Sequence, residues 1–196
     1  MTLTLRKGSA PISMAKPTVV RARAMWPAAT DYDLAAEVLY HDGHSSSVAT
    51  FAAAGRPASS STPEGSVRHL GDIQRSEGGY AEEIIEIFPN AAVRAVLFWV
   101  YSAQSNGDGS FQEYGVSMEI SDGDGNTIRI NSDDASDNPE IYTCAPGMIE
   151  IDHTGVTLHA LGLYSAPESE LRPLLALGAD GRPGVWMDAG PVNDFK

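Results

Sequence analysis

Apolar residues recur with a period of two along most of this chain, and helical spacing is nearly absent. In VVRARAMW (Val19–Trp26), Val20, Ala22, Ala24 and Trp26 fall on one face, with Arg21 and Arg23 on the other. LAAEVLY (Leu34–Tyr40) sets Leu34, Ala36, Val38 and Tyr40 together. Downstream, Tyr114, Val116, Met118 and Ile120 share a face, and Thr127–Asn131, Ile141–Ala145, Met148–Asp152, Val156–Tyr164 and Val185–Asp188 read as further strands. Side chains of a strand point alternately to its two faces, so this pattern describes strands with one face covered. Ala95–Tyr101, AVLFWVY, is apolar without alternation and predicts a strand buried on both faces.

The strands are separated by short turns rich in Gly and Asp. Asp122-Gly123-Asp124-Gly125-Asn126 is of hairpin type, because Gly and Asn accept positive φ. Short strands at close spacing predict an all-β fold, a two-sheet antiparallel β-sandwich with at most short helices. The 196 residues suit one domain over 1–196. Ala52–Gly65, AAAGRPASSSTPEG, and Asp133–Asn138 are the least structured stretches, and the first predicts a mobile loop. Leu177–Gly184 reads as a Gly/Pro loop.

Thirteen basic and 26 acidic residues give a net charge of −13. A field of that sign disfavours nucleic acid and anionic lipid and attracts cations or basic partners. The longest apolar run is too short to span a bilayer. The first residues carry basic groups with no apolar run behind them, which argues against a secretory signal. One cysteine, Cys144, makes neither an internal disulfide nor a Cys-rich zinc site, and a cytoplasmic location is expected.

Enzyme signatures are lacking: the chain has no G-x-S-x-G, no Walker A motif and no strand-GxGxxG-helix unit, so no catalytic role is expected. Among the histidines, His41 and His44 flank a turn and could both reach one metal, but no Cys lies nearby and no HExxH is present. DGDGN resembles the start of an EF-hand loop, yet Thr127 stands where that loop needs Gly. Oxygen-rich loops are a stronger signal, because a hard cation takes about six to eight oxygens, usually from neighbouring loops. Such loops occur at Asp31-Tyr32-Asp33 and at Gly71–Glu83, where Asp72 and Glu82-Glu83 bracket residues that let the backbone curl.

Several pieces together resemble the tellurium-resistance TerD family: LRKGS (Leu5–Ser9), Trp26 ahead of DYDLAAEVLYHDG (Asp31–Gly43), GSVRHLGD (Gly65–Asp72), and an acidic entry to a strand at Glu82–Ile87. EIYTCAPGMIEID, the Glu170-Leu171-Arg172-Pro173 segment and the closing MDAGPVNDFK look like an actinobacterial branch of that family. The resemblance implies a bacterial stress-response module that binds calcium without enzymatic activity. Its oxygens would come from the D-x-D-L segment and from the loop after Gly71-Asp72. Where the family loop reads GDNLTGEGDGDDE, this chain keeps Gly71, Asp72, Glu77, Gly78 and Glu83, with Glu82 replacing an Asp. Ile73, Gly79, Ala81 and Ala35 stand where the family carries Asn or Asp. These losses imply at most one Ca²⁺, held by Asp33, Asp72 and Glu83, helped by Glu82, Asp31 and the Ile73 carbonyl. The alternative is a metal-free scaffold with a degenerate loop. Partners expected on this basis are calcium and proteins of a stress-response complex.

Overall fold

In the computed structural model, residues 2–72, 79–103, 111–130 and 136–194 are described. Every regular element among them is a strand. One six-stranded sheet runs in the order β1 (Thr2–Leu5), β10 (Thr127–Ile130), β9 (Ser117–Ser121), β3 (Val20–Pro27), β7 (Tyr80–Ile87) and β6 (Val67–His69). The other runs β2 (Ile12–Ala15), β12 (Gly155–Tyr164), β11 (Thr143–Ile151), β8 (Val93–Tyr101), β4 (Asp33–Tyr40) and β5 (Ser45–Val48). Pairing is antiparallel except between β1 and β10. The two sheets face each other across one apolar core, so the expected all-β sandwich is what the chain forms.

The sheets differ in what covers their backs. On β3, burial alternates along the strand, and the outward Arg21 and Arg23 meet Glu86, Glu82 and Glu119 of the neighbouring strands at 2.6–3.0 Å. That is the solvated face the alternation predicts. In contrast, β4 is buried at every position, and β8 at all but Arg94. Leu34, Ala36, Val38 and Tyr40 face the sandwich interior, while Ala35 and Leu39 join Trp99, Tyr101, Phe51 and Leu175 in a second cluster on the back of the sheet. A third layer covers that cluster: residues 49–59, the hairpin of β13 (Leu174–Leu177) and β14 (Pro183–Trp186), and the chain up to Asp194.

The layer is held by a buried arginine. Arg172 donates to Asn193 Oδ1 at 2.6 Å, to the Phe51 carbonyl at 2.8 Å and to Ser47 Oγ at 3.1 Å, and its guanidinium lies over the rings of Phe51 and Trp99. The Ser47 hydroxyl in turn donates to Glu37 Oε1 at 2.7 Å, and Arg56 lies 3.3 Å from Oε2. The two C-terminal segments singled out in the sequence thus meet, through Arg172 and Asn193.

Two readings need revision. Ile141–Ala145 and Met148–Asp152 belong to a single strand, β11, whose register shifts around Pro146. A proline cannot donate to the ladder, and a bulge accommodates it. Ala52–Gly65 is not a free loop but a strap: Ser59 exchanges two backbone hydrogen bonds with Ala49 beside β5, and Ser60 accepts from His69 of β6 at 2.8 Å. It therefore bridges the edges of both sheets. Polar side chains add to these main-chain contacts: Thr62 Oγ1 accepts from the Val67 amide at 3.1 Å and Glu64 accepts from the Tyr40 hydroxyl at 2.7 Å. Part of Asp133–Asn138 lies outside the described residues. At DGDGN, β9 and β10 form a hairpin; Asp122 Oδ1 accepts from the amides of Asp124 and Asn126, and Gly123 and Gly125 have φ of 78° and 92°.

Candidate metal centre

Three strands deliver acidic groups to one end of the sandwich. Glu83 sits on β7 with inward-facing Ala81 and Ile85, and is 1% exposed. Its neighbour Glu82 faces the other way, as adjacent residues of a strand must, and pairs with Arg23 at 3.0 Å. Glu82 therefore stands apart from the cluster. Asp33 opens β4 and is also 1% exposed. Asp31 precedes the strand, so alternation does not align it with Asp33, and it is only half-buried. Asp72, exposed, follows the end of β6. One oxygen each from Asp33, Asp72 and Glu83 lie within 4.8 Å of one another. These are the three residues named first from sequence; the Ile73 carbonyl, named as a helper, lies outside the described residues.

The cluster is embedded in protein donors. Glu83 Oε2 accepts from the Leu34 amide at 2.7 Å, tying β7 to the start of β4. It also meets His69 Nε2 at 3.2 Å, and both side chains are fully buried. The other imidazole nitrogen, Nδ1, accepts from the Gly71 amide at 3.1 Å. Asp33 lies opposite Tyr101 in the β4–β8 register. The Tyr101 hydroxyl donates to Glu170. Burial, with Glu170 and Asp33 nearby, pushes this phenol above its usual value, so it remains a donor.

His69 was not read from sequence as part of this site. Its signal is positional: Val67 and His69 are the inward residues of a strand paired to β7, which carries Glu83. His44 is engaged elsewhere, stacked on Tyr40 with Nδ1 2.5 Å from Asp42. Among the described residues, the acidic triad is the one group of three whose geometry suits a metal ion.

No family model matches the sequence, and no curated protein matches it. Solved structures do. A protein of unknown function, SAV2460, superposes with a TM-score of 0.57 at 16% identity, over 77% of this chain and 92% of its own. A homologue of telluride resistance protein (TerD), SCO6318 from Streptomyces coelicolor A3(2), superposes with a TM-score of 0.56 at 13% identity, over 77% and 93%. The fold is TerD-like. At these identities the likeness is one of architecture. Within the TerD-like fold, Asp33 and Glu83 are placed by β4 and β7, strands read from the sequence, and Asp72 by the turn that follows β6.

The donor set fits a hard cation. Carboxylate oxygens bind Ca²⁺ at about 2.3–2.6 Å, so two oxygens sharing one ion lie no more than about 5 Å apart. The three oxygens, all within 4.8 Å of one another, are compatible with that. Three carboxylates fall short of the six to eight oxygens calcium prefers, and backbone carbonyls or water would complete the shell.

Proposed function

We propose that this protein is a non-enzymatic, calcium-binding module of the tellurium-resistance and stress-response type, acting in the cytoplasm. The observation that carries the reading is the convergence of Asp33, Asp72 and Glu83 from three strands of a TerD-like sandwich. The lack of nucleophile and phosphate-loop motifs supports a binding role rather than catalysis. A bound Ca²⁺ supplies two positive charges that offset the mutual repulsion of the three carboxylates. Asp72 joins the exposed Gly71-Asp72 turn to Asp33 and Glu83 in the sandwich, so cation binding fixes that turn against the start of β4. A ligand that binds only the native form stabilises it, and the ordered rim becomes the surface a protein partner reads.

A second reading, a metal-free scaffold for protein partners with a degenerate calcium loop, draws on a specific feature. Glu83 Oε2 already receives two internal donors, from Leu34 and His69, which offset part of its charge without an ion. Calorimetric titration of chelator-stripped protein with Ca²⁺, repeated on Asp72→Ala, separates the two. Saturable heat corresponding to about one ion, lost in the variant, supports the calcium module. No heat up to millimolar calcium leaves the scaffold.

A further inference from the structure

A neutral imidazole offers one N–H and one lone pair. In His69 both are spent inside the protein. Nδ1 accepts the Gly71 amide at 3.1 Å, so the proton sits on Nε2, which points at Glu83 Oε2 3.2 Å away. No lone pair remains for a metal. The chain leaves β6 by a turn at Gly71, whose φ of +138° is open to glycine and strained for other residues. Asp72 is the next residue. The imidazole therefore contacts the turn that presents Asp72 with one nitrogen and the carboxylate of Glu83 with the other.

We infer that His69 is a positioning residue for the acidic cluster: its ring, fixed as the Nε2–H tautomer, tethers the Gly71-Asp72 turn to Glu83 and sets the spacing of these two carboxylates. The inference rests on the calcium reading for its consequence, but the tether itself exists without metal. Its loss frees the turn and removes the imidazole contact that helps to orient Glu83. Groups that orient a ligating side chain typically contribute about 10–100-fold in metal affinity.

The test compares full-length wild type, His69→Ala and His69→Gln, chelator-stripped, by Ca²⁺ calorimetry and by hydrogen exchange of the Gly71 amide in metal-free protein. In His69→Ala, affinity is expected to fall by about 10–100-fold and Gly71 exchange to accelerate. A Gln amide can accept from Gly71 and donate to Glu83, so His69→Gln should recover most of both. Wild-type affinity in His69→Ala overturns the inference, as does unchanged Gly71 exchange, or a Gln variant no better than Ala. If wild type takes up no calcium, the calcium reading falls, and Gly71 exchange alone then decides the tether. If His69→Ala does not fold, the imidazole ¹⁵N shifts of wild type decide it: an Nε2–H tautomer upholds the tether and an Nδ1–H tautomer overturns it.

Discussion

Arg172→Ala removes the cation that holds the third layer on the back of the β4–β8 sheet. Arg172 is 1% exposed, and its truncation leaves Asn193 Oδ1 and the Phe51 carbonyl without their donor in a dry site. It also removes positive charge from the neighbourhood of Glu37, itself 1% exposed and joined to Arg172 through the Ser47 hydroxyl. Glu37 keeps Arg56 at 3.3 Å, so the cost comes mainly from the two buried hydrogen bonds to the guanidinium, worth about 1.5–3 kcal/mol each or about 3–6 kcal/mol together. For a chain of this length each kcal/mol lowers Tm by about 2–4 °C, so a fall of roughly 6–24 °C is expected. Calorimetric unfolding in excess chelator measures it free of any metal contribution. Glu37→Gln should soften the loss, because the Coulombic attraction between Arg172 and Glu37 is then already absent; the two changes should deviate from additivity by about 0.5–3 kcal/mol. A fall below about 1 kcal/mol for Arg172→Ala is what replacement of an ordinary surface residue produces. That result, or strict additivity with Glu37→Gln, would refute the reasoning.

Burial raises the Glu37 carboxyl from 4.5 to about 7 despite Ser47, Arg56 and Arg172. A folded-state value above the unfolded one makes this group's stabilisation complete below about pH 4.5 and lost by the time pH has risen through about 7. The difference in urea stability between wild type and Glu37→Gln should follow that window and level off above it. Burial pushes the Cys144 thiol up to about 12, so native protein should resist iodoacetamide at pH 8 and react fully in denaturant, as mass spectrometry would record. A Cβ at Gly155 would lie 2.2 Å from the Met14 carbonyl oxygen, so Gly155→Ala should lift β2 from β12. The expected cost is about 1–3 kcal/mol, with faster exchange of β2 amides.

The half of the sandwich that meets water was plain in the sequence. VRARAMW gives its inside and outside residues directly, because one face of β3 packs and the other is solvated. AVLFWVY was equally plain, since a strand covered on both sides has no polar residue to alternate with. Glu37 was not legible. A charged residue in LAAEVLY reads as solvent-facing, and only the distant Ser47, Arg56 and Arg172 make its burial tolerable. The short strands β1, β2, β5, β6 and β13 were missed, since four or fewer residues carry little periodicity; β10, equally short, was marked out by the DGDGN turn before it. At the site, Asp33, Asp72 and Glu83 were found through the family resemblance, whereas the role of His69 depends on the β6–β7 register, which no local pattern encodes. Glu82 was the opposite case: the period of two already sent it away from Glu83.

The strap over residues 52–62 bears on how this molecule avoids sticking to copies of itself. An open strand edge is a template for another chain, and sandwiches have such edges on both flanks. On the β5–β6 flank the strap occupies them, with Ser59 and Ser60 taking the hydrogen bonds an intruding strand would make. The β1–β2 flank has no such cover among the described residues, and both edge strands there are only four residues long. Exposed Arg6 and Lys7 end β1, and exposed Lys16 ends β2. Any copy docking edge to edge on that flank would have to bury these basic groups. Edge-to-edge docking is thus opposed by occupancy on one side and by charge on the other, and neutralising Arg6, Lys7 and Lys16 together would weaken the second barrier while the first stayed in place.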